Sequence, residues 1–253
     1  MDRAAPGFGR ELREFLRFVG RPALSPRWPG MRAGDGWSRD WRPGAGWRRL
    51  LAWAGCLWAV NLFALGPVAL AAAGAGGASP RIDIHALPVL QAILWAPIAE
   101  ELLFRYGLRR PFQALWMVPV MAVAVLSGPH GWTAAMVAAA VLLCRRQSRQ
   151  ARAPARARIR PWLRAYRRGF PWVFHLAALA FAAVHLNNYS LNQMPIWMMP
   201  MLVLPQWVTG LALGWMRVRR GIGASIGLHA VFNAGPMLLV WTIVQLAPDA
   251  ALQ

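Results

Sequence analysis

The sequence predicts an all-α protein: a polytopic membrane helix bundle of about seven transmembrane helices, with an interfacial amphipathic helix near the N-terminus. Hydrophobic residues make up 57% of the 253 positions. Several apolar runs approach the length of about 20 residues that a helix needs to cross a bilayer. The chain also carries 15 Trp residues, a type enriched at membrane interfaces. Together these features indicate a membrane protein rather than a water-soluble one.

The first 49 residues are predicted to form a basic cytoplasmic arm, because they are rich in Pro, Gly and Arg and cannot form much core. Residues 11–19 of this arm place apolar side chains on one helical face and charged side chains elsewhere. The apolar ones are Leu12, Phe15, Leu16 and Val19. This pattern indicates a short amphipathic helix at the membrane surface. Residues 50–253 are predicted to form one transmembrane domain, with no internal repeat.

Seven apolar runs define the predicted spans. They lie at residues 50–73, 86–108, 112–126, 132–144, 171–186, 194–216 and 222–246. The third and fourth runs are short, and Gly128 and Pro129 between them break helices. A hairpin of two short helices is therefore favoured over one kinked helix, which would be about 50 Å long and exceed the bilayer. An Arg-rich segment, residues 145–168, is predicted to be a solvated loop.

The net charge of +19 comes from 28 basic residues, all of them Arg. The Arg residues cluster beside apolar runs, which favours membrane topology and contact with anionic lipid over nucleic-acid binding. With a cytoplasmic N-terminus, seven spans place the basic regions 1–49, 105–110, 145–168 and 217–220 on one side. This predicts a multi-pass protein of the inner (plasma) membrane, and the Arg-only composition indicates a bacterial source. The sequence leaves the oligomeric state open.

Two adjacent carboxylates lie inside the second apolar run. Glu100 and Glu101 are two of only nine acidic residues in the chain. A charged side chain in a membrane-length segment is costly and indicates a functional site. Glu101 and Arg105 are four residues apart and share a helical face, which predicts an ion pair. Glu100 points about 100° away and is expected to remain available for chemistry.

Further polar side chains occur in later spans. His185 lies at the end of the fifth run, and His229 and Asn233 share one helical face in the seventh. A lone His in an apolar helix is more often a hydrogen-bond partner than a catalyst. Polar groups on three separate spans, however, all require compensation in lipid.

These side chains suit one reaction class. The sequence does not contain the His-Glu-x-x-His motif of zinc proteases. A carboxylate and a His can instead activate a water molecule that attacks a peptide carbonyl. A second His and an Asn can donate hydrogen bonds to the resulting oxyanion, each worth about 3 kcal/mol.

The chain also resembles a known family over about residues 86–240. Three short motifs, in this order, carry the resemblance: Glu100-Glu101-x-x-x-Arg105, Phe181-x-x-x-His185 and His229-x-x-x-Asn233. They are similar to the motifs of the CPBP family, which groups CAAX-type prenyl proteases with bacteriocin-processing and Abi-type immunity proteins. The resemblance implies an intramembrane endopeptidase, a hydrolase that acts on a membrane-associated peptide or protein.

The resemblance also implies a role for each motif residue. It assigns water activation to Glu100 and His185, oxyanion stabilisation to His229 and Asn233, and support of the site to Glu101 and Arg105. A catalytic zinc ion held by Glu100, His185 and His229 is chemically possible, but a metal-free glutamate mechanism without a cofactor is favoured.

Two other functions remain open from the sequence. A catalytically silent immunity or scaffold protein would use the same polar residues only to tie helices together. A proton-coupled transporter would use the Glu and His residues as a relay, although no paired segments indicate an inverted repeat.

Overall fold

The computed structural model of the chain describes residues 7–24, 26, 37–81, 86–150, 160–192 and 194–246. Almost all of these residues are helical, which confirms the all-α prediction. The α-helices are α1 (Phe8–Gly20), α2 (Ser38–Trp41), α3 (Trp47–Val60), α4 (Gly66–Gly76), α5 (Ala96–Phe104), α6 (Pro111–Ser127), α7 (Gly131–Gln150), α8 (Arg160–Val184), α9 (Met199–Leu202), α10 (Leu204–Arg220) and α11 (Ile222–Leu246). Two short strands, β1 (Ser79–Pro80) and β2 (Tyr189–Ser190), pair antiparallel.

Three of the described helices are long and apolar enough to cross a membrane: Trp47–Gly76, Pro161–Asn188 and Ile222–Leu246. A fourth span results if Ile196–Leu202 and Leu204–Arg220, which are bent by 53°, are counted as one. The prediction of a membrane helix bundle is therefore confirmed. The count of seven spans stays a prediction.

The predicted hairpin in the middle of the chain is present as α6 and α7. Gly128, between the two helices, has a φ of 76°, a left-handed conformation that suits glycine. Near the start of α6, Gln113 Nε2 donates to the carbonyl of Cys144 on α7 at 3.1 Å. This contact brings the start of one helix to the later part of the other, so the two helices run antiparallel.

The predicted loop at residues 145–168 is wrong over its described part. Residues 145–150 extend α7 and residues 160–168 begin α8, while residues 151–159 lie outside the described residues. Arg has a high helix propensity and tolerates solvent, so a high density of Arg did not end either helix.

Two π-helical segments interrupt the apolar helices at Asn61–Leu65 and Gln91–Trp95. In the second, the Ala96 N–H closes the widened turn by bonding to the Gln91 carbonyl. The next residue, Pro97, has no N–H, so the Ala92 carbonyl lacks the corresponding π-type partner. π segments of this kind are frequent at functional sites.

Helix α10 lies at the centre of the bundle, and its residues from Thr209 to Val218 are all buried. Two glycines on this helix allow aromatic rings of α8 to approach closely. A methyl group at Gly210 would lie 3.0 Å from the Phe181 ring, and one at Gly214 would lie 2.8 Å from the Phe174 ring. Small residues at helix contacts are typical of membrane bundles.

Helix α1 packs against α10 and α3. It buries Phe15 and Phe18 together with the carboxylate of Glu11, whereas Leu16 is 62% exposed. The predicted amphipathic helix is therefore present. It docks onto the bundle, where Glu11 meets Arg220, and its place at the membrane surface stays a prediction.

Candidate active site

The carboxylate of Glu101 is fully buried and joins three partners from two helices. Arg105 Nη1 lies 2.8 Å from Oε1, so the predicted ion pair is confirmed. His229 Nδ1 lies 3.0 Å from the same oxygen. Because an ionised carboxylate only accepts hydrogen bonds, Nδ1 is the nitrogen that carries the proton. Ser225 Oγ bonds to the other oxygen, Oε2. Glu101 therefore orients the imidazole of His229 and also neutralises the charge of Arg105.

Ser225 is a site residue that sequence reasoning missed. Its hydroxyl is buried and also lies 2.9 Å from the Leu213 carbonyl on α10. It stands four residues before His229 and thus on the same face of α11. A hydroxyl at that spacing from a buried His was the available signal.

Glu100 differs from its neighbour in having no strong partner. Its side chain is 16% exposed, and Oε2 lies 3.9 Å from His229 Nε2. Among the described residues, this oxygen is buried without a hydrogen-bond partner. A buried carboxylate oxygen that lacks a donor is costly and requires an explanation.

His185 is held at the end of α8 by its own helix. Its Nδ1 lies 2.7 Å from the Phe181 carbonyl. Since a carbonyl only accepts, Nδ1 carries the proton, and the lone pair of the neutral ring is on Nε2. The imidazole interacts electrostatically with both Glu100 and His229.

The ring of Phe181 packs among the polar side chains. Its centroid lies 4.6 Å from that of His185 and 5.7 Å from that of His229. The Arg105 guanidinium lies over the same ring at 3.7 Å, a cation–π distance. Phe181 thus excludes water from the back of the site and fixes the separation of the two imidazoles.

Asn233 has a second role that its position alone did not predict. Its Nδ2 donates to the Ala92 carbonyl at 2.9 Å. That is the carbonyl left without a π-type partner by Pro97, so Asn233 fastens the segment that precedes the two glutamates. A primary amide has two N–H groups, and the second remains for another acceptor.

The two His motifs open onto one cavity of about 150 Å³. It is lined by Asn61, Phe181, His185, Pro205, Gln206, Thr209, His229, Phe232 and Asn233. A volume of this size accommodates several water molecules or a short piece of peptide. Of the predicted residues, His185, His229 and Asn233 line the cavity, Glu100 lies beside His229, and Glu101 and Arg105 lie behind it.

A larger apolar groove of about 660 Å³ shares Asn61 and Phe232 with this cavity. It continues between α11 and the end of α3 with its following π-helical segment, along Trp58, Leu62 and Leu239. Leu62 and Leu239 are both more than half exposed. The polar cavity is therefore continuous with an apolar surface of the bundle.

A family model described as type II CAAX prenyl endopeptidase Rce1-like matches residues 154–235. This segment carries two of the three motifs, with His185, His229 and Asn233, and it does not include Glu100. The match covers about a third of the chain and supports a CPBP-type family of CAAX intramembrane proteases. Comparisons with curated proteins and with solved structures found no significant match. This family match supports a protease that acts on a membrane-associated protein or peptide.

A catalytic zinc ion would require Glu100, His185 and His229 to bring their donor atoms around one point. Among the described residues, no group of three His, Cys, Asp or Glu side chains is placed to hold a metal ion. Glu100, His185 and His229 therefore do not fit a zinc ion as they stand.

Proposed function

We propose that the chain is an intramembrane endopeptidase that hydrolyses a peptide bond of a membrane-associated peptide or protein. The observation that carries this proposal is the unpartnered oxygen of Glu100, beside a cavity that two imidazoles line. A water molecule is the smallest donor that satisfies such an oxygen, and it is also the second substrate of hydrolysis.

In the proposed reaction, Glu100 accepts a proton from the water as general base. The lone pair on His185 Nε2 accepts the other proton of the water in a hydrogen bond and orients the attacking oxygen. The hydroxide adds to the peptide carbonyl carbon. The proton on Glu100 then passes to the leaving amine as the carbon–nitrogen bond breaks, so the carboxylate is regenerated.

The oxyanion that forms requires hydrogen-bond donors. His229 is one proposed donor: in its doubly protonated form the Nδ1–H stays on the Glu101 carboxylate and the Nε2–H is presented to the oxyanion. The second N–H of Asn233 is the other. Preorganised donors of this kind contribute about 3 kcal/mol each. Glu101 and Arg105 are proposed as supports, because they fix the imidazole of His229 without facing the cavity.

The proposed location is the inner (plasma) membrane, with several spans and a cytoplasmic N-terminus. The arm supports this orientation because it meets two basic regions at one end of the bundle. Asp40 pairs with Arg110 at 3.3 Å and with Arg217 at 2.5 Å, and Glu11 pairs with Arg220. Anionic lipid is the proposed partner of the remaining positive charge.

The test is cleavage of a membrane-peptide library by the purified full chain in nanodiscs. The Glu100→Gln protein is expected to lose about 10²–10⁴-fold in rate, the usual contribution of a general base. Glu14→Gln, the same change on α1, is the matched control and is expected to retain activity. A chelator is expected to have no effect.

Three results would contradict the proposal. Undiminished cleavage by the Glu100→Gln protein would remove Glu100 from the reaction, and failure of the folded wild type to cleave any peptide would favour a silent scaffold. Ion-coupled flux in liposomes that depends on Glu100 would indicate a transporter instead.

A further inference from the structure

Two side-chain amides in the cavity wall belong to none of the three motifs. We infer that Asn61 and Gln206 bind the main chain of the substrate peptide, an inference that rests on the proposed endopeptidase function. Both side chains line the same cavity as His185 and His229. Among the described residues, Asn61 Oδ1 and Gln206 Oε1 are both buried without a hydrogen-bond partner.

Asn61 is oriented by its neighbours. It is the first residue of the π-helical segment that follows α3, and its Nδ2 lies 3.4 Å from Thr209 Oγ1 on α10. One end of the amide is thus engaged with a side chain of the central helix, and the other end is left for a ligand.

Gln206 approaches from a different element. It is the third residue of α10, directly after Pro205, at the bend of 53° between the segment that ends at Leu202 and α10. Its unpartnered oxygen and that of Asn61 are both hydrogen-bond acceptors. A buried acceptor without a donor lowers the stability of the folded protein. Two acceptors of this kind lie at one cavity, and a ligand that donates hydrogen bonds to them would remove the loss.

The arrangement of donors and acceptors fits a peptide group. In a trans peptide the N–H and the C=O point in opposite directions. The cavity offers two acceptors, Asn61 directly after α3 and Gln206 on α10. The proposed oxyanion donors, His229 and Asn233, lie on α11. A substrate carbonyl directed at α11 therefore turns the N–H of the same peptide group away from α11, toward the acceptors of Asn61 and Gln206.

An apolar peptide also has a route to these acceptors. The groove along Trp58, Leu62 and Leu239 reaches Asn61 itself. An extended chain exposes main-chain N–H groups on alternate sides at each residue, so a segment that enters along the groove presents one of them to Asn61 while its apolar side chains stay out of water.

The experiment uses the peptide of the library that the wild type cleaves fastest, with one main-chain N–H at a time replaced by N–CH₃ around the scissile bond. In the wild type, methylation at one or two positions is expected to lower kcat/KM about tenfold, the effect of one lost hydrogen bond. In Asn61→Ala or Gln206→Ala, the same methylation is expected to cause no further loss. Gln147→Ala, which removes an exposed amide on α7, is the matched control and should keep the full penalty.

Equal penalties in the wild type and in both amide variants, at every methylated position, would overturn the inference. Binding of the same peptides to the Glu100→Gln protein provides the comparison without cleavage. If the wild type cleaves nothing, the proposed function fails, and the library peptide that binds the Glu100→Gln protein most tightly is methylated instead. The amide inference is then judged by whether methylation weakens this binding only when Asn61 and Gln206 are present. Asn61→Ser and Gln206→Ser serve as second variants if an Ala protein does not fold.

Discussion

The structure contains two kinds of buried acid, and they differ in how completely their oxygens are paired. On the arm, Asp40 has Arg217 on one oxygen and Arg110 on the other. Glu11 has Arg220 on one oxygen and the Trp53 indole N–H, at 2.9 Å, on the other. In the motif, Glu101 is paired just as completely, whereas Glu100 retains an oxygen without a donor. Complete pairing identifies the structural acids, and incomplete pairing identifies the acid proposed for catalysis.

The two regions are also physically connected. The fully buried guanidinium of Arg217 donates to the carbonyls of Arg105 and Tyr106, at 3.1 and 3.2 Å, where the motif helix ends. Asp40 orients this guanidinium from the arm. Gly221 allows the close approach of α2, since a methyl group there would lie 2.8 Å from the Asp40 carbonyl. The arm therefore braces the helix that carries the two glutamates.

The largest expected difference separates two adjacent substitutions. Glu101→Gln removes a buried charge from Arg105 and is expected to lower the free energy of unfolding by about 3–5 kcal/mol. Glu100→Gln removes a poorly paired charge and is expected to leave that free energy unchanged or to raise it, although cleavage is lost. Thermal unfolding in nanodiscs measures both. Equal destabilisation by the two substitutions would contradict the distinction between them.

The next effect tests the brace. Asp40→Asn keeps the shape of the side chain but leaves Arg217 without its counter-charge, and it is expected to cost about 1.5–3 kcal/mol of unfolding free energy. Because the carbonyl of Arg105 then loses a fixed donor, kcat is expected to fall while KM changes little. Arg217→Lys, which cannot span the same acceptors, should reproduce the split between kcat and KM. A loss of stability with unchanged kcat would limit Asp40 to a structural role.

Local spacing explains which parts of the site the sequence predicted. The Glu101–Arg105 pair follows from one helical turn, and it is present as expected. The pairing of Asp40 with Arg217 joins positions 177 residues apart, and no local pattern predicts such a contact. The role of Asn233 depended on Pro97 in another helix, where a missing N–H left a carbonyl to be satisfied. Sequence reasoning therefore found side chains that are chemically unusual for lipid, and it missed partners chosen by packing.

A smaller effect is expected where Phe174 of α8 contacts both α10 and α1. Gly214→Ala places a methyl group 2.8 Å from the Phe174 ring, and such overpacking costs about 1–3 kcal/mol of unfolding free energy. Phe174 also contacts Phe18 of α1, with ring centroids 5.2 Å apart, so docking of the arm should weaken as well. Limited proteolysis of the arm measures that docking. Gly55→Ala on α3, where a methyl group meets no atom within 4 Å, is the matched control and should not destabilise the protein. An equal loss of unfolding free energy in both variants would refute the steric explanation.

The smallest effect is expected at Glu14, the remaining described acid of the arm. It pairs with Arg219 at 2.9 Å and accepts a hydrogen bond from the Trp215 indole at 2.5 Å, with 30% of its side chain exposed. Burial outweighs the attraction of Arg219 and raises the pKa of Glu14 above its ordinary value of 4.5. The folded protein therefore takes up this proton before the unfolded chain does, so the contribution of Glu14 to stability increases as the pH falls from the raised pKa toward 4.5. Glu14→Gln is expected to change the unfolding free energy by less than about 1 kcal/mol at neutral pH and to remove this pH dependence. The pH dependence is measured by the unfolding midpoints of both proteins between the raised pKa and pH 4.5. If lowering the pH reduces the midpoint of the wild type but not that of Glu14→Gln, the ion pair with Arg219, and not burial, dominates at this position.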